Sequence, residues 1–328
     1  MIVGFVGGVS PIIGGGGLEV QMKMSASALR DRGVEVVFPT PISLGSAPKV
    51  DLIHAFGADP SVWNMFRHWT RNRVPLVVSP VLVFDSLIQT SLERVVSRLR
   101  LGLSNTANMR RTVVRSASRL VALHAQEAEA LSHWYGVDVS RITIVSNGSA
   151  ASASVPPEYR RSGFVVVGTI SSRKRQLDLV RAWRPEFPPL SIIGSVAADW
   201  VDSAAFTAEV DGRPNVTWHG ALPQVEVWER QARSIGCISA SKSEGESLAI
   251  LDSLRLGTPV LIQQGQGSGH LAARYSGGVR EFNNLDEMAR LISTFADAST
   301  SSGFERPPSW DDVGDELLSL YRSVLAAQ

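Results

Sequence analysis

The stretch Ser241-Lys242-Ser243-Glu244-Gly245-Glu246-Ser247-Leu248-Ala249-Ile250-Leu251-Asp252-Ser253-Leu254-Arg255-Leu256-Gly257-Thr258-Pro259-Val260 passes from a polar loop into an apolar-periodic helix, then through Gly-Thr-Pro into a new strand. An apolar run at 235–239 precedes it. The whole therefore reads as strand, loop, helix, strand, the unit from which parallel sheets are assembled. Ser247 stands where it can cap the helix, and Gly257 stands where a helix ends in a left-handed residue. Glu244 lies in the loop and Asp252 about one turn inside the helix. Two carboxylates and a helix N-terminus, which attracts anions, thus converge on one end of a sheet.

The same alternation extends in both directions. Towards the N-terminus, strands are expected at 164–168, 190–193 and 216–218 and at 259–262 beyond the helix, with helices at about 174–183, 223–232 and 248–256. In the first half, strands are expected at 2–6, 34–38, 50–54, 75–79, 119–123 and 142–145, with a helix at 60–72 among the connections. The segment 149–163, rich in Ala, Ser and Pro, interrupts the pattern as a linker. Helices at 285–298 and 311–326 finish the chain. The expected fold class is α/β, with two tandem Rossmann-like doubly wound domains facing a cleft: residues 1–150, residues 151–310, and a final helical segment, 311–328. In such sheets ligands sit at the carboxyl ends of the strands, at the switch point, so the loops after strands are the places to look.

Composition agrees with two ordinary domains. The chain has 328 residues, 44% hydrophobic and 19% charged, enough for two buried cores and too apolar for disorder. Its 32 basic and 31 acidic residues leave a net charge of +1, so no global field points to nucleic acid. The single cysteine, Cys237, lies in an apolar run and reads as a small buried hydrophobe. No apolar run reaches the length of a membrane span, and the apolar start lacks a basic lead, so a cytoplasmic location is expected.

Two further loops carry candidate chemistry. After the first strand come Gly7-Gly8 and then Gly14-Gly15-Gly16-Gly17-Leu18-Glu19, glycines that let backbone approach a ligand. The second strand ends in Val37-Phe38-Pro39-Thr40 without the carboxylate that holds a dinucleotide ribose, which argues against a dehydrogenase. In the second half, Val167-Gly168 leads into Arg173-Lys174-Arg175, three consecutive cations at a helix start. Cations are unfavourable at that end of a helix, and the misfit points to an anionic ligand.

Taken together these residues resemble the retaining glycosyltransferases of the GT-B fold, and most closely glycosyltransferase family 4. That family carries a Glu-Gly-Phe-Gly loop, a second Glu eight positions after the first, and Gly-Thr-Pro-Val. This chain has Glu244-Gly245-Glu246-Ser247, Asp252 and Gly257-Thr258-Pro259-Val260. Val145-Ser146-Asn147-Gly148 is similar to the family's hinge Pro-Asn-Gly, Trp218-His219-Gly220 matches a further turn, and Gly16-Gly17-Leu18-Glu19 matches Gly-Gly-x-Glu. Departures are Thr169 for the usual Arg, Glu246 and Ser247 for Phe and Gly, the shorter Asp252, and Ser79-Pro80-Val81 where many members have a histidine.

The resemblance implies transfer of a sugar from a nucleotide diphosphate sugar, UDP- or GDP-linked, to an acceptor hydroxyl with retention of configuration. It implies catalytic roles for Glu244 and Lys174, and the place of His54 in the third strand makes it a further catalytic candidate. The resemblance implies donor contacts from Gly16, Gly17, Arg173, Gly245, Glu246, Ser247, Leu248 and Asp252. No metal and no cofactor beyond the donor is expected, and the acceptor is expected to be a glycan, a lipid-linked molecule or a small molecule. It also implies that the final helix crosses back to the first domain. His54 is expected to end the third strand and face the cleft, with a structural histidine as the competing reading, and His124 is a weaker candidate for ligand contact. Arg94, Arg98, Arg100, Arg110, Arg111, Arg115 and Arg119 form a basic segment suited to peripheral contact with the inner membrane face, or simply a solvated helix face. Two other functions stay open: a non-catalytic sugar-nucleotide-binding partner, and a sugar-nucleotide epimerase of the same fold.

Overall fold

The computed structural model describes residues 1–7, 16–39, 49–58, 62, 73–82, 106–153, 159–198, 200–242, 244–265, 269–298 and 304–327. Residues 60–72 (save Val62), Gly14, Gly15, Ser243 and the first part of the basic segment, 94–105, lie outside them. The chain divides into two compact units. The first comprises Met1–Gly148 with Pro308–Gln328, and the second Ser149–Pro307.

In the first unit the strands are β1 (Ile2–Gly7), β2 (Glu35–Val37), β3 (Leu52–Phe56), β4 (Leu76–Ser79), β5 (Arg119–Ala122) and β6 (Ile142–Ile144). They form one sheet in the order β2-β1-β3-β4-β5-β6, every pair parallel. β3 and β4 are buried along their whole length, as expected for central strands covered on both faces. Helices α1 (Gly17–Asp31), α2 (Thr106–Ser116) and α3 (Ala125–Tyr135) belong to this unit. Val113, Val114, Leu131 and Tyr135 from α2 and α3 pack on Ile53, Val78 and Leu120 of the sheet.

The second unit holds β7 (Phe164–Val167), β8 (Leu190–Ile193), β9 (Val216–Trp218), β10 (Gly236–Ser239), β11 (Val260–Gln263) and β12 (Val279–Phe282). Their order is β12-β11-β10-β7-β8-β9, again all parallel. Alternate residues face alternate cores. Phe164, Val166, Ile192, Ile238 and Leu261 join one cluster, and Val165, Ile193, Cys237, Val260 and Ile262 join the other. Cys237 is therefore a core residue, and burial pushes its thiol up to about 11. Helices α4 (Gln176–Ala182), α5 (Ser203–Asp211), α6 (Gln224–Arg233), α7 (Leu248–Arg255), α8 (Gly269–Arg274) and α9 (Leu285–Ala298) connect and cover the strands. Both units are Rossmann-like and doubly wound.

The last helix, α10 (Trp310–Ala326), is part of the first unit and packs along α1. Ser309 caps it through a reciprocal box with Asp312. Arg32, just past α1, donates from Nε and Nη2 to both carboxylate oxygens of Asp315, at 2.6 and 2.9 Å. Chain exit and chain return are adjacent: a Cβ placed on Gly148 would stand 2.7 Å from the Trp310 nitrogen and 2.8 Å from the Ser309 carbonyl carbon. Among the described residues no helix is long and apolar enough to cross a membrane.

Candidate functional site

The strand order of the second unit reverses direction between β7 and β10, and a doubly wound sheet opens a crevice at that point, outside the carboxyl ends of its strands. The loops after β7 and β10 flank it, and they carry the cationic run and the Glu244 loop. Gly168 follows β7 with φ of 142°, and Gly194 follows β8 with φ of 147°. A Cβ on Gly194 would lie 2.1 Å from the Gly168 carbonyl oxygen, so only glycine lets these two strand ends touch. The Lys174 side chain runs past Gly168, its Cε 3.6 Å from where a Cβ would stand. Gln176, buried, fastens the loop by donating to the Thr169 carbonyl at 3.1 Å and accepting from the Ser171 N–H at 3.2 Å.

The two loops are joined by backbone: the Lys242 N–H donates to the Arg173 carbonyl at 3.0 Å. That contact brings Glu244 to the cations. Lys174 Nζ donates to Glu244 Oε1, and Arg173 Nη1 lies 3.7 Å from Oε2. The Glu244 side chain is only 9% exposed, so the pair is shielded enough to be more than a surface ion pair. The third cation turns away. Arg175 sits in the left-handed region, φ 57°, and donates to Asp178 at 2.8 Å and to Gln263 at 2.7 Å.

Ser247 occupies the N-cap of α7 with extended backbone, but its side chain makes no capping bond, contrary to the expectation. The first amides of α7 are thus left without a side-chain cap, beside the half-buried Gly245 and the buried Glu246. Further along α7, Asp252 accepts from Ser149 Oγ at 2.6 Å through Oδ1. Its Oδ2 accepts from Trp228 Nε1 at 2.9 Å and Gln224 Nε2 at 3.3 Å. Burial raises its carboxyl above the usual range, and the Ser149 and Trp228 bonds oppose the shift. Ser149, Trp228 and Gln224 escape sequence reasoning, because no local spacing announces partners so far apart in the chain.

In the first unit the third strand runs further than expected. His54 lies inside β3, not at its end, and is fully buried. Its Nδ1 is 2.5 Å from Tyr321 Oη and its Nε2 2.8 Å from Ser79 Oγ. Burial pushes the imidazole down to about 3, so it is neutral, and its two bonds join β3, β4 and α10. His124 is the N-cap of α3: its Nδ1 accepts from the Glu127 N–H at 3.2 Å, and burial pushes it down to about 4. Gly16 and Gly17 open α1 at an exposed end without a side-chain cap, and Glu19, buried, pairs with Lys23 one turn on. Arg110, Arg111 and Arg115 of the basic segment lie on α2.

Residues 42–148 match the family described as a glycosyl transferase 4-like domain. No curated protein sequence matches the chain. Solved structures similar to it include Anabaena HepE (Alr3699) in complex with UDP and glucose, with 16% identity and a TM-score of 0.72 over 98% of this chain and 100% of that one. Sucrose-phosphate synthase from Thermosynechococcus elongatus is 14% identical, with a TM-score of 0.68 over 100% of this chain and 99% of the other. WaaG, a glycosyltransferase involved in lipopolysaccharide biosynthesis, is 16% identical, with a TM-score of 0.63 over 99% and 98%. At these identities the likeness is one of fold, and the fold is that of the GT-B glycosyltransferases.

Proposed function

We propose that the chain is a glycosyltransferase that moves a sugar from a nucleotide diphosphate sugar to an acceptor hydroxyl with retention of anomeric configuration. The observation that carries this reading is the meeting of Lys174 and Arg173 with Glu244 at the switch point of the second sheet, next to the uncapped start of α7. Departure of a diphosphate leaves negative charge that must be neutralised as the sugar gains positive character. Lys174, Arg173 and the amides at Ser247 and Leu248 are the groups to do so, with Gly245 and Glu246 lining the loop. Released from its cations by the incoming phosphates, Glu244 accepts hydrogen bonds from sugar hydroxyls. Asp252 serves the ribose, its carboxylate held in place by Ser149 and Trp228. Gly16 and Gly17 are assigned to the donor as well.

HepE holds UDP and glucose. That supports a UDP-linked hexose as the first donor to try, with GDP-sugars as the alternative. The acceptor is a glycan, a lipid-linked molecule or a small molecule, and the α2 arginines suit a chain working peripherally at the inner membrane face. Because protein cations supply the charge, turnover is expected to survive EDTA and to gain nothing from magnesium or manganese. An epimerase would need several acid–base groups at its site, and a histidine is the commonest of them. His54, buried and bonded at both nitrogens, does not offer one.

The test is calorimetric binding of UDP, GDP and their sugars, followed by turnover with acceptor candidates. Donor binding with neither transfer nor hydrolysis would favour a sugar-nucleotide-binding partner protein. No binding of any nucleotide would end the reading.

A further inference from the structure

In the first unit one buried carboxylate has no part in the chemistry above. Glu127, in the first turn of α3, is 1% exposed. Its Oε2 accepts the Leu123 N–H at 2.7 Å, a local bond next to the helix cap. Its Oε1 accepts the Leu82 N–H, also at 2.7 Å and 45 positions away, which helix capping does not require. Leu82 follows the end of β4 and Leu123 the end of β5, so one side chain ties together two loops at the carboxyl end of the sheet. Immediately before Leu82, Val81 has φ of 49°. A β-branched residue in the left-handed region is strained and persists only where its surroundings hold it. The bond from Glu127 to the next amide is such a hold.

We propose that Glu127 is a positioning residue that clamps the Val81–Leu82 segment to the start of α3 when ionised and loosens it when protonated. A carboxylate accepts from both amides at once. A carboxylic acid carries its proton on one oxygen, and that oxygen is a poor acceptor, so one buried N–H loses its partner. The proton comes from solvent. Burial, the larger influence, raises the group to about 7, while the two amide bonds act to lower it. Among the described residues, the groups facing it after β4 and β5 are the two N–H donors, and at the cap of α3 His124 is neutral near pH 7. Among the described residues no charged side chain adds to the shift. The clamp stands on this geometry; its consequence for turnover, through the loops of the first unit, rests on the function proposed above.

An NMR titration of the full chain between about pH 5.5 and about pH 8.5 tests it, following the amide protons of Leu82 and Leu123. Both signals are expected to move together around neutrality in the wild type and to stay flat in Glu127→Gln. In that variant the pH dependence of UDP-glucose turnover is expected to flatten, while UDP affinity stays unchanged. Flat wild-type signals, or a titration that survives in Glu127→Gln, would overturn the clamp, and the wild-type curve decides alone should the variant not fold. A wild type that fails to bind UDP counts against the proposed function and leaves the titration to decide the clamp.

Discussion

Ser149 donates its hydroxyl to Asp252 over 2.6 Å, joining the residue where the chain enters the second unit to a helix 103 positions later. Trp228 donates to the other carboxylate oxygen. The two donors differ in one respect: a serine hydroxyl can turn and accept, whereas an indole N–H only donates. Asp252→Asn can therefore rebuild the network, with its oxygen to Trp228 and its amide to Ser149. Its stability is expected to change by less than about 1 kcal/mol, whereas Asp252→Ala, which leaves the Trp228 donor unpaired, should lose about 1–3 kcal/mol. Because Asn keeps the scaffold and removes the charge, a loss of UDP affinity in that variant would support the proposed ribose contact. Urea denaturation together with calorimetry separates the two effects. Equal stability losses in Asn and Ala would show that the network is not what holds α7.

Lys174 and Glu244 are partners in the structure, and the proposed reaction requires them apart. Lys174→Ala is expected to weaken UDP binding by about 1.5–3 kcal/mol, the worth of a charge-assisted hydrogen bond. Glu244→Gln should lower kcat with UDP-glucose more than it weakens donor binding, since its contacts to the sugar strengthen only as the bond to phosphate breaks. Unchanged UDP affinity in Lys174→Ala would place the phosphate anchor elsewhere. A purely KM-type effect in Glu244→Gln would make it a binding residue alone.

His54 and His124 contribute to the acid limb of stability. They titrate at about 3 and about 4 in the folded chain, below the ordinary 6.5. As pH falls through about 6.5, the unfolded chain takes up these protons and the folded chain does not, so stability drops. Glu127 acts in the opposite sense, because its folded value of about 7 lies above the ordinary 4.5 and the folded chain gains a proton first. Near pH 5.5 the unfolded chain is ahead by about two protons from His54 and His124 and behind by about one from Glu127. His54→Gln removes one of the two. The variant is expected to flatten the acid limb by about 1.4 kcal/mol per pH unit. An unaltered slope, measured by denaturation across that range, would mean that His54 protonates in place.

Helices α1 and α10 meet at a glycine. A Cβ on Gly314 would stand 2.9 Å from the Ala28 Cβ and 2.9 Å from Arg32 Nη1. Helix propensity alone makes Gly→Ala favourable by roughly 1 kcal/mol. Here the methyl group must push two packed helices apart, and Gly314→Ala is expected to be destabilising by about 1–2 kcal/mol overall. A stabilised variant would show that the pair separates readily.

Much of this was legible in the sequence, and what was not has physical causes. β8 and β9 run over 190–193 and 216–218 as expected, because their Val, Ile and Trp residues are bounded by turn residues. β12, Val-Arg-Glu-Phe, was not foreseen: as an edge strand it buries only its ends, and two charged residues hide the pattern. α5 and α8 are short and rich in Ala, Gly and Ser, with weak apolar faces. The approach of Lys174 to Glu244 follows from strand order, since both loops leave the sheet at its point of reversal. His54 was misplaced because β3 continues to Phe56, and two further residues of strand move an end position into the core.

The closeness of Gly148 to Ser309 and Trp310 makes the second unit an insertion in the chain of the first. A ribosome must then release the guest before it has finished the host. Residues 149–307 emerge as a complete folding unit while the first sheet still lacks α10 and the aromatic hydroxyl of Tyr321 beneath His54. The half begun first is thus completed last, and an apolar flank of α1 stays bare until the final helix arrives.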